Sequence, residues 1–431
     1  MRSLFNRFLP KNMTAQRVVM LMSGTAAAQV ITALSMPIVT RLYTPEMIGL
    51  ISVYLAFFNF WLTLLTLRFE SALLIAKDED ESHHIFRLGS ILVVTLSLLS
   101  VPALYVLIHY SLLGFEVLPV WVIGIGVFSL LGYGWFMLYR SWLLRLSETK
   151  SISIAAVSRS AANVGVRLVT GVFSLGSVGL FLAEISGSWA ALSTVRKKTK
   201  ALLTLPNPQW SASRIFSIAK RYRKFPLFET PSVFINQLAI ALPVPIVGMM
   251  YGSAAAGWFG LARLLYAIPN GQLGKAAGDV FQMELSSRVR EERMDDALKL
   301  FYKFSSRLAL IGLVPLLLAV FVAPAAVRFI FGDEWIEMGN IVATMAPWMY
   351  MALIVSSMSR ALSVLEKQEF KLLYDITALF VVGAGYLIAK HFEYELIDFI
   401  GLLSIGMSIA YTLYFGVIAL SIRNYTEHKT T

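Results

Sequence analysis

Apolar residues in this chain are gathered into blocks of roughly 20, the length a helix needs to cross about 30 Å of hydrocarbon. The blocks recur from one end of the sequence to the other. That pattern dictates helices, because backbone inside a bilayer must satisfy its own hydrogen bonds. Composition agrees: 57% of residues are hydrophobic and 15% charged, against roughly 25% charged in a soluble domain. The fold class expected is an all-α, polytopic membrane protein. With no cysteine, disulfides and thiol chemistry are excluded.

Twelve spans are expected, near 18–39, 47–67, 88–109, 119–139, 152–174 and 177–195 in the first half and 227–250, 257–279, 308–330, 339–361, 372–389 and 396–420 in the second. Helix-end signals separate them, such as Thr44-Pro45-Glu46 before the second and Gly332-Asp333 after the ninth. The net charge of +11 does not mark a nucleic-acid binder, because the cations lie between apolar blocks and not on a soluble module. They obey the positive-inside rule instead. With both termini cytoplasmic, the inside segments and their flanks hold 31 of the 37 Lys and Arg. The outside loops hold only Arg41, Arg328 and Lys390, and Arg167, Arg263 and Lys275 fall within spans. A miscounted span would break this alternation partway along. The first block mimics a signal peptide, with Arg17 before a short apolar run and Ala26-Ala27-Ala28 after it. Its apolar character continues to Val39, so it reads as an uncleaved span.

The domains expected are a bundle over 1–195, a basic cytoplasmic linker over 196–226 and a second bundle over 227–431. The linker carries Arg196-Lys197-Lys198 and Lys220-Arg221-Tyr222-Arg223-Lys224. Two readings stand for it: an anchor on anionic lipid, or a surface that gathers an anionic substrate. The outside loops are short, so no extracytoplasmic domain is expected.

An internal repeat underlies the two bundles. Shifted by 208 residues, 29–49 meets 237–257 with eight identities in 21 positions. Gln29 meets Gln237, Pro37-Ile38-Val39 meets Pro245-Ile246-Val247, and Tyr43 meets Tyr251. Six spans per half is an even number, so both halves start on the same side. Their pseudo-twofold axis is then expected along the membrane normal. Some transporters are built this way and handle substrate near the midplane, where the halves meet.

Polar residues inside spans need protein or water around them. In the fifth span Ser160, Asn163, Arg167, Thr170 and Ser174 follow a 3, 4, 3, 4 spacing that places them on one helix face. Ser52, Asn59, Thr63, Thr66 and Glu70 read the same way in the second, with Gln29 in the first and Arg263, Asn270 and Gly274 in the eighth. Such faces either line a wet cavity or join helices through Ser and Thr. Arg167 is too deep to snorkel easily. It either pairs with Glu184 across the hairpin or offers a charged, two-pronged fork to a phosphate. Lys275 and Asp279, four apart, are expected to pair along their helix. Arg68 and Glu70, two apart, are expected on different sides of a helix. No catalytic constellation, metal spacing or Walker motif is present, and His83 and His84 beside Lys77-Asp78-Glu79-Asp80-Glu81 read as solvated. The candidate substrate-binding set is Arg167, Arg263, Asn163, Asn59, Gln29, Gln237, Asn236, Asn270 and Lys275. The candidate ion-coupling acids are Glu70, Glu184 and Asp279. No cofactor or metal is expected.

Several short motifs, in order, resemble bacterial polysaccharide transporters. They are Thr40-Arg41-Leu42-Tyr43-Thr44-Pro45-Glu46, Arg68-Phe69-Glu70-Ser71-Ala72, Tyr222-Arg223-Lys224-Phe225-Pro226 with Thr230-Pro231-Ser232, Leu261-Ala262-Arg263-Leu264-Leu265, and Phe331-Gly332-Asp333-Glu334-Trp335 with Ala346-Pro347-Trp348. The chain resembles the Wzx-type O-antigen or exopolysaccharide flippases, in the superfamily that also holds multidrug exporters and the peptidoglycan lipid flippase. The resemblance implies a non-enzymatic protein of the bacterial inner membrane. It would move an undecaprenyl-pyrophosphate-linked oligosaccharide to the outer leaflet by alternating access, driven by a proton or sodium gradient. Membrane lipid, a polysaccharide polymerase and a chain-length regulator are the partners implied, and no nucleic acid. A multidrug or cation exporter is the alternative, disfavoured by the intramembrane cations. A peptidoglycan lipid flippase would carry two more spans, and a membrane polymerase a long outside loop with Arg and His.

Overall fold

The computed structural model describes residues 13–202, 211–291 and 293–430. Residues 1–12, the middle of the basic linker (203–210), Glu292 and Thr431 lie outside the described residues, as do the side chains of Arg17 and His428. The described residues are helical, with no strand among them. Ten stretches are long and apolar enough to cross a membrane. Two features account for the difference from the twelve expected spans. Phe225–Ala267 is one stretch of 43 residues, about 64 Å at 1.5 Å per residue, long enough for two crossings. Thr149–Val172 has the length of a span at 24 residues, but Lys150, Arg159, Arg167 and four serines dilute its apolar character.

The chain divides into two compact units, Met1–Gln237 and Leu238–Thr431. The division falls inside the expected seventh span. Residues just before it pack within the first unit, where the Phe234 ring lies 5.9 Å from that of Phe60.

In the first unit α1 (Met13–Leu42) is followed by α2 (Pro45–Leu62). Thr44 caps α2 in extended backbone and Pro45 takes its first turn, where a missing N–H costs nothing. α2 ends at Leu62, five residues before the expected limit of 67. Leu67 and Arg68 then adopt left-handed backbone, φ 45° and 65°. The second-span stripe from Ser52 to Glu70 is therefore not one helix face. α3 (Glu79–His109) starts well before residue 88, because the Asp78 carboxylate accepts the Glu81 amide at 2.7 Å and three acids occupy its positive N-terminal turn. His84 is thereby buried, its Nδ1 2.8 Å from the Asp80 carbonyl, and His83 lies 4.7 Å from the Trp142 ring. The reading of this pair as solvated is corrected: the acids belong to a helix start that carries both histidines into the bundle. α4 (Val122–Arg145), α5 (Thr149–Val172) and α6 (Ser177–Leu202) complete the hydrophobic helices up to the linker.

The linker holds an element the sequence reading omitted. α7 (Ala212–Arg221) is amphipathic and capped by Ser211. Its Ile218 and the following Tyr222 bury against Phe69, Leu73, Ile85 and Trp142. Arg214 and Arg221 pair with Asp80 and Glu81 at 3.0 and 2.7 Å.

α8 (Thr230–Ala241) leads into α9 (Pro243–Pro269). α9 is broken at Gly252, φ 88° and ψ 169°, a conformation reserved for glycine. Beyond it run α10 (Lys275–Arg290), α11 (Met294–Leu317), α12 (Ala323–Phe331), α13 (Ile336–Met358), α14 (Glu369–His391) and α15 (Leu396–Thr430). Phe281, Phe301, Ile354, Met358, Tyr414 and Ile418 share a core in this unit. Three π-helical turns, Phe225–Glu229, Asn270–Gly274 and Leu318–Val322, contain or closely follow Pro226, Pro269 and Pro315. A proline removes the N–H of the regular i to i−4 bond, and the widened turn absorbs the defect.

Candidate functional site

α5 and α6 form a hairpin whose turn places Ser174 and Gly176 at positive φ. Arg159, Asn163 and Arg167 recur every four residues along α5, on one side of the helix. Glu184 faces them from α6, 3% exposed. One of its oxygens accepts Arg159 Nη2 at 2.5 Å, and the other accepts Asn163 Nδ2 at 3.0 Å. The Arg159 guanidinium also lies 4.6 Å from the centre of the Tyr133 ring on α4. The pairing of Glu184 with Arg167 is thus corrected. The hairpin register sets Glu184 level with Asn163, leaving one arginine about a turn to either side. Arg159 gains both the carboxylate and an aromatic face. Sequence reasoning missed Arg159 by leaving it in the cytoplasmic flank, although its four-residue spacing to Asn163 and Arg167 was the available signal.

Arg167 makes no ion pair among the described residues, and its Nε is buried without a hydrogen-bond partner. Its carbonyl accepts the Tyr43 hydroxyl at 2.8 Å, which fixes the backbone around it. The rest of the stripe is divided. Ser160 bonds to Thr32 at 2.9 Å and to the Ala28 carbonyl at 2.8 Å, and Thr170 meets Tyr43 at 2.9 Å. These hydroxyls join α5 to α1, where Gly24 lets Ser153 come close enough that a Cβ would clash. Gln29 is half-buried on α1, and Asn59 is exposed on α2.

At the end of α2 the left-handed turn brings Thr66, Arg68 and Glu70 together. Thr66 donates to Glu70, and Arg68 Nη1 reaches Glu70 Oε1 at 2.9 Å. Arg68 also binds Glu229 Oε1 through Nε and Nη2 at 2.8 and 2.5 Å. The expectation that Arg68 and Glu70 point apart fails because the backbone between them is not helical. Asn236 and Gln237 are half-buried on α8.

In the second unit the half-buried Arg263 lies 5.9 Å from the Phe259 ring. It has no hydrogen bond or ion pair among the described residues. Asn270 donates to the Met349 carbonyl at 3.2 Å. Asp279 pairs with Arg360 and not with Lys275, which is exposed. The π-helical turn before α10 leaves Lys275 outward, while Gly278 admits the Arg360 side chain beside Asp279. An unforeseen pair joins Lys371 to Asp375 at 3.4 Å, with Asp375 1% exposed. Its four-residue spacing was visible in the sequence. Among the described residues no cluster of acids or histidines could hold a metal.

Each named acid (Glu70, Glu184, Asp279 and Asp375) has a basic partner, whereas Arg167 and Arg263 have no acidic one. Arg68 is shared by Glu70 and Glu229, so the two arginines without acidic partners leave these groups with an excess of one positive charge.

Solved structures with this fold are membrane transporters. An inward-facing multidrug resistance MATE family transporter of the MOP superfamily matches with a TM-score of 0.73 at 14% identity, over 94% of this chain and 95% of that one. The lipid II flippase MurJ in an inward closed conformation matches with a TM-score of 0.67 at 14% identity, over 92% and 86%. A MOP superfamily transporter from Pyrococcus furiosus, described as having a binding pocket of reverse polarity, matches at 0.55 and 14% identity over 95% and 96%. No curated protein sequence matches the chain significantly. A family model described as polysaccharide biosynthesis protein matches residues 38–340, well over half of the chain and including Glu70, the α5–α6 hairpin and Arg263, and the chain belongs to that family.

Proposed function

We propose that this protein is a flippase that carries a lipid-linked oligosaccharide from the cytoplasmic to the outer leaflet of the bacterial inner membrane, with both termini cytoplasmic. The carrier proposed is undecaprenyl pyrophosphate. The observation that carries this reading is the pair of arginines, Arg167 and Arg263, that lack acidic partners among the described residues while Glu184 and Asp279 each have an arginine of their own.

The chemistry follows from solvation. A pyrophosphate and its sugars cannot enter hydrocarbon, since stripping water from ionised groups is prohibitive. An arginine held in the membrane without a counter-ion supplies charge-assisted hydrogen bonds in their place, and stays protonated while doing so. Arg167 suits this role because Tyr43 and Thr170 hold its backbone and no carboxylate competes for its side chain. Arg159, neutralised by Glu184, shapes the polar wall beside it. Asn163 is spoken for by the same carboxylate. A cation exporter needs unpaired acids, which the pairing of Glu184 and Asp279 argues against. Coupling to a proton or sodium gradient is proposed through the acids Glu70, Glu184 and Asp279: protonating Glu184 or Asp279 releases Arg159 or Arg360, and protonating Glu70 leaves Arg68 to Glu229 alone.

The test is transport in proteoliposomes loaded with the lipid-linked oligosaccharide, read by glycan accessibility in the outer leaflet. Arg167→Ala should abolish flipping and surface polysaccharide while the protein still inserts, and Arg167→Lys should keep partial activity. Normal transport by Arg167→Ala removes this residue from the mechanism.

A further inference from the structure

A separate feature lies wholly within the second unit. α11, α13 and α15 leave a groove of about 540 Å³ between them, within the roughly 300–1,000 Å³ of small-molecule sites. Its wall is almost entirely apolar: Ala309 from α11, Met351 and Ile354 from α13, and Phe415 from α15, with Tyr302 at the mouth. Small residues on α11 create the depression. Ser305 turns its hydroxyl back onto the Phe301 carbonyl at 2.8 Å, so it presents little polarity to the groove. Past Ala309, Gly312 lies against Tyr350 and Leu353, and the Tyr350 hydroxyl donates to the Ala309 carbonyl at 3.0 Å. Leu310, Leu313, Val314 and Leu317 alongside are exposed, as residues facing hydrocarbon are.

One edge of the groove is cationic. Lys299, Lys303 and Arg307 follow at intervals of four along α11 and form a column on one face. Lys303 itself lines the groove. Lys299 is 3.8 Å from Asp296, whereas Lys303 and Arg307 have no acidic or hydrogen-bonding side-chain partner among the described residues. Ser306 sits on the same rim, exposed. The apolar trough thus runs from an interfacial cationic rim into the hydrophobic part of the helix, which is the layout of a lipid with a negative head group.

We propose that this groove is a binding site for one anionic phospholipid of the cytoplasmic leaflet, an acyl chain lying along Ala309, Met351, Ile354 and Phe415 and the phosphate on Lys303 and Arg307. The site is independent of the transported substrate. Topology alone also places cations at the inner ends of spans, but it requires no trough beside them and no discrimination between lipids.

The experiment is competition between phosphatidylglycerol and phosphatidylcholine for the full-length protein, counted as retained lipids by native mass spectrometry. Wild type should retain phosphatidylglycerol preferentially. The exposed pair Lys303→Gln and Arg307→Gln should reduce that preference by about thirtyfold, from the attraction of two surface cations for anionic lipid, while Lys220→Gln in the linker should leave it intact. Ala309→Phe should lower retention of both lipids without altering the preference. If that variant does not fold, Ser306→Phe at the exposed rim gives the same reading. An undiminished preference in the double glutamine variant overturns the head-group assignment, and full retention after filling the groove overturns the site.

Discussion

The two units share a way of turning a helix back and differ in what they do with charge. In the first, α1 gives way to α2 at Tyr43, Thr44 and Pro45. In the second, the break comes at Tyr251 and Gly252, 208 residues later. Each tyrosine hydroxyl reaches a later hairpin of its own unit. Tyr43 donates to the Arg167 carbonyl near the end of α5, and Tyr251 to the Tyr394 carbonyl between α14 and α15, both at 2.8 Å. The repeat seen in the sequence is thus also a repeat of tethers. Charge follows no such rule. The first unit ties Arg159, Asn163 and Glu184 into one network across a hairpin, whereas the second leaves Arg263 with an aromatic ring and moves its buried acid, Asp375, to a pair along one helix. The tethers recur at the spacing of the sequence repeat, and the charges do not.

The sharpest way to break this contrast is to remove one acid from each unit. Glu184→Gln should destabilise the protein by about 3 kcal/mol, the low end for a broken buried pair, since the Arg159 side chain keeps 33% exposure. Asp375→Asn should cost only about 1 kcal/mol, because Lys371 is 46% exposed and can turn to solvent. Thermal unfolding in detergent ranks the two, and equal losses would erase the distinction drawn here.

Next in size is the turn itself. Gly252→Ala meets no steric neighbour, so its cost is backbone strain alone, about 2 kcal/mol. Thr44→Ala, at an extended cap whose side chain makes no bond, should cost under about 0.5 kcal/mol. The tethers come third. Tyr43→Phe loses bonds to the Arg167 carbonyl and to Thr170 at a site 2% exposed, about 1.5 kcal/mol, and Tyr251→Phe one bond at a half-buried site, about 0.5 kcal/mol. Melting temperatures of the four variants measure both differences.

How much of this was legible in the sequence depends on range. Span positions follow from hydrophobic blocks, which are local properties, and the repeat follows from residue identities at a fixed shift. The pairing of Glu184 was not legible, because a hairpin register decides between arginines four residues to either side. The Arg68 cluster was hidden for another reason: helical periodicity was extrapolated through Leu67 and Arg68, where no glycine or proline warns of left-handed backbone. α7 escaped notice because it is short and lies between basic runs, and only two isoleucines, Ile215 and Ile218, mark its buried face.

That helix supplies the smallest effect. Tyr222, beside the docked face of α7, is buried and lies near Glu81. Both burial and the carboxylate raise its phenol above the ordinary range, while Arg221 opposes the shift. Below about pH 10 the phenol is neutral whether α7 is docked or free, so the docking contribution is fully present. As pH climbs past that value the exposed phenol ionises first, and the contribution is lost on the way to the folded value. Cleavage within the linker by a protease active at alkaline pH should therefore accelerate above pH 10 in the wild type. Tyr222→Phe should flatten that dependence while leaving protection at neutral pH nearly unchanged, because its ring keeps the contacts with Trp142 and Ile85. An equally steep rise in the phenylalanine variant would transfer the effect to Lys220 or another base of the linker, and remove Tyr222 from the pH dependence of docking.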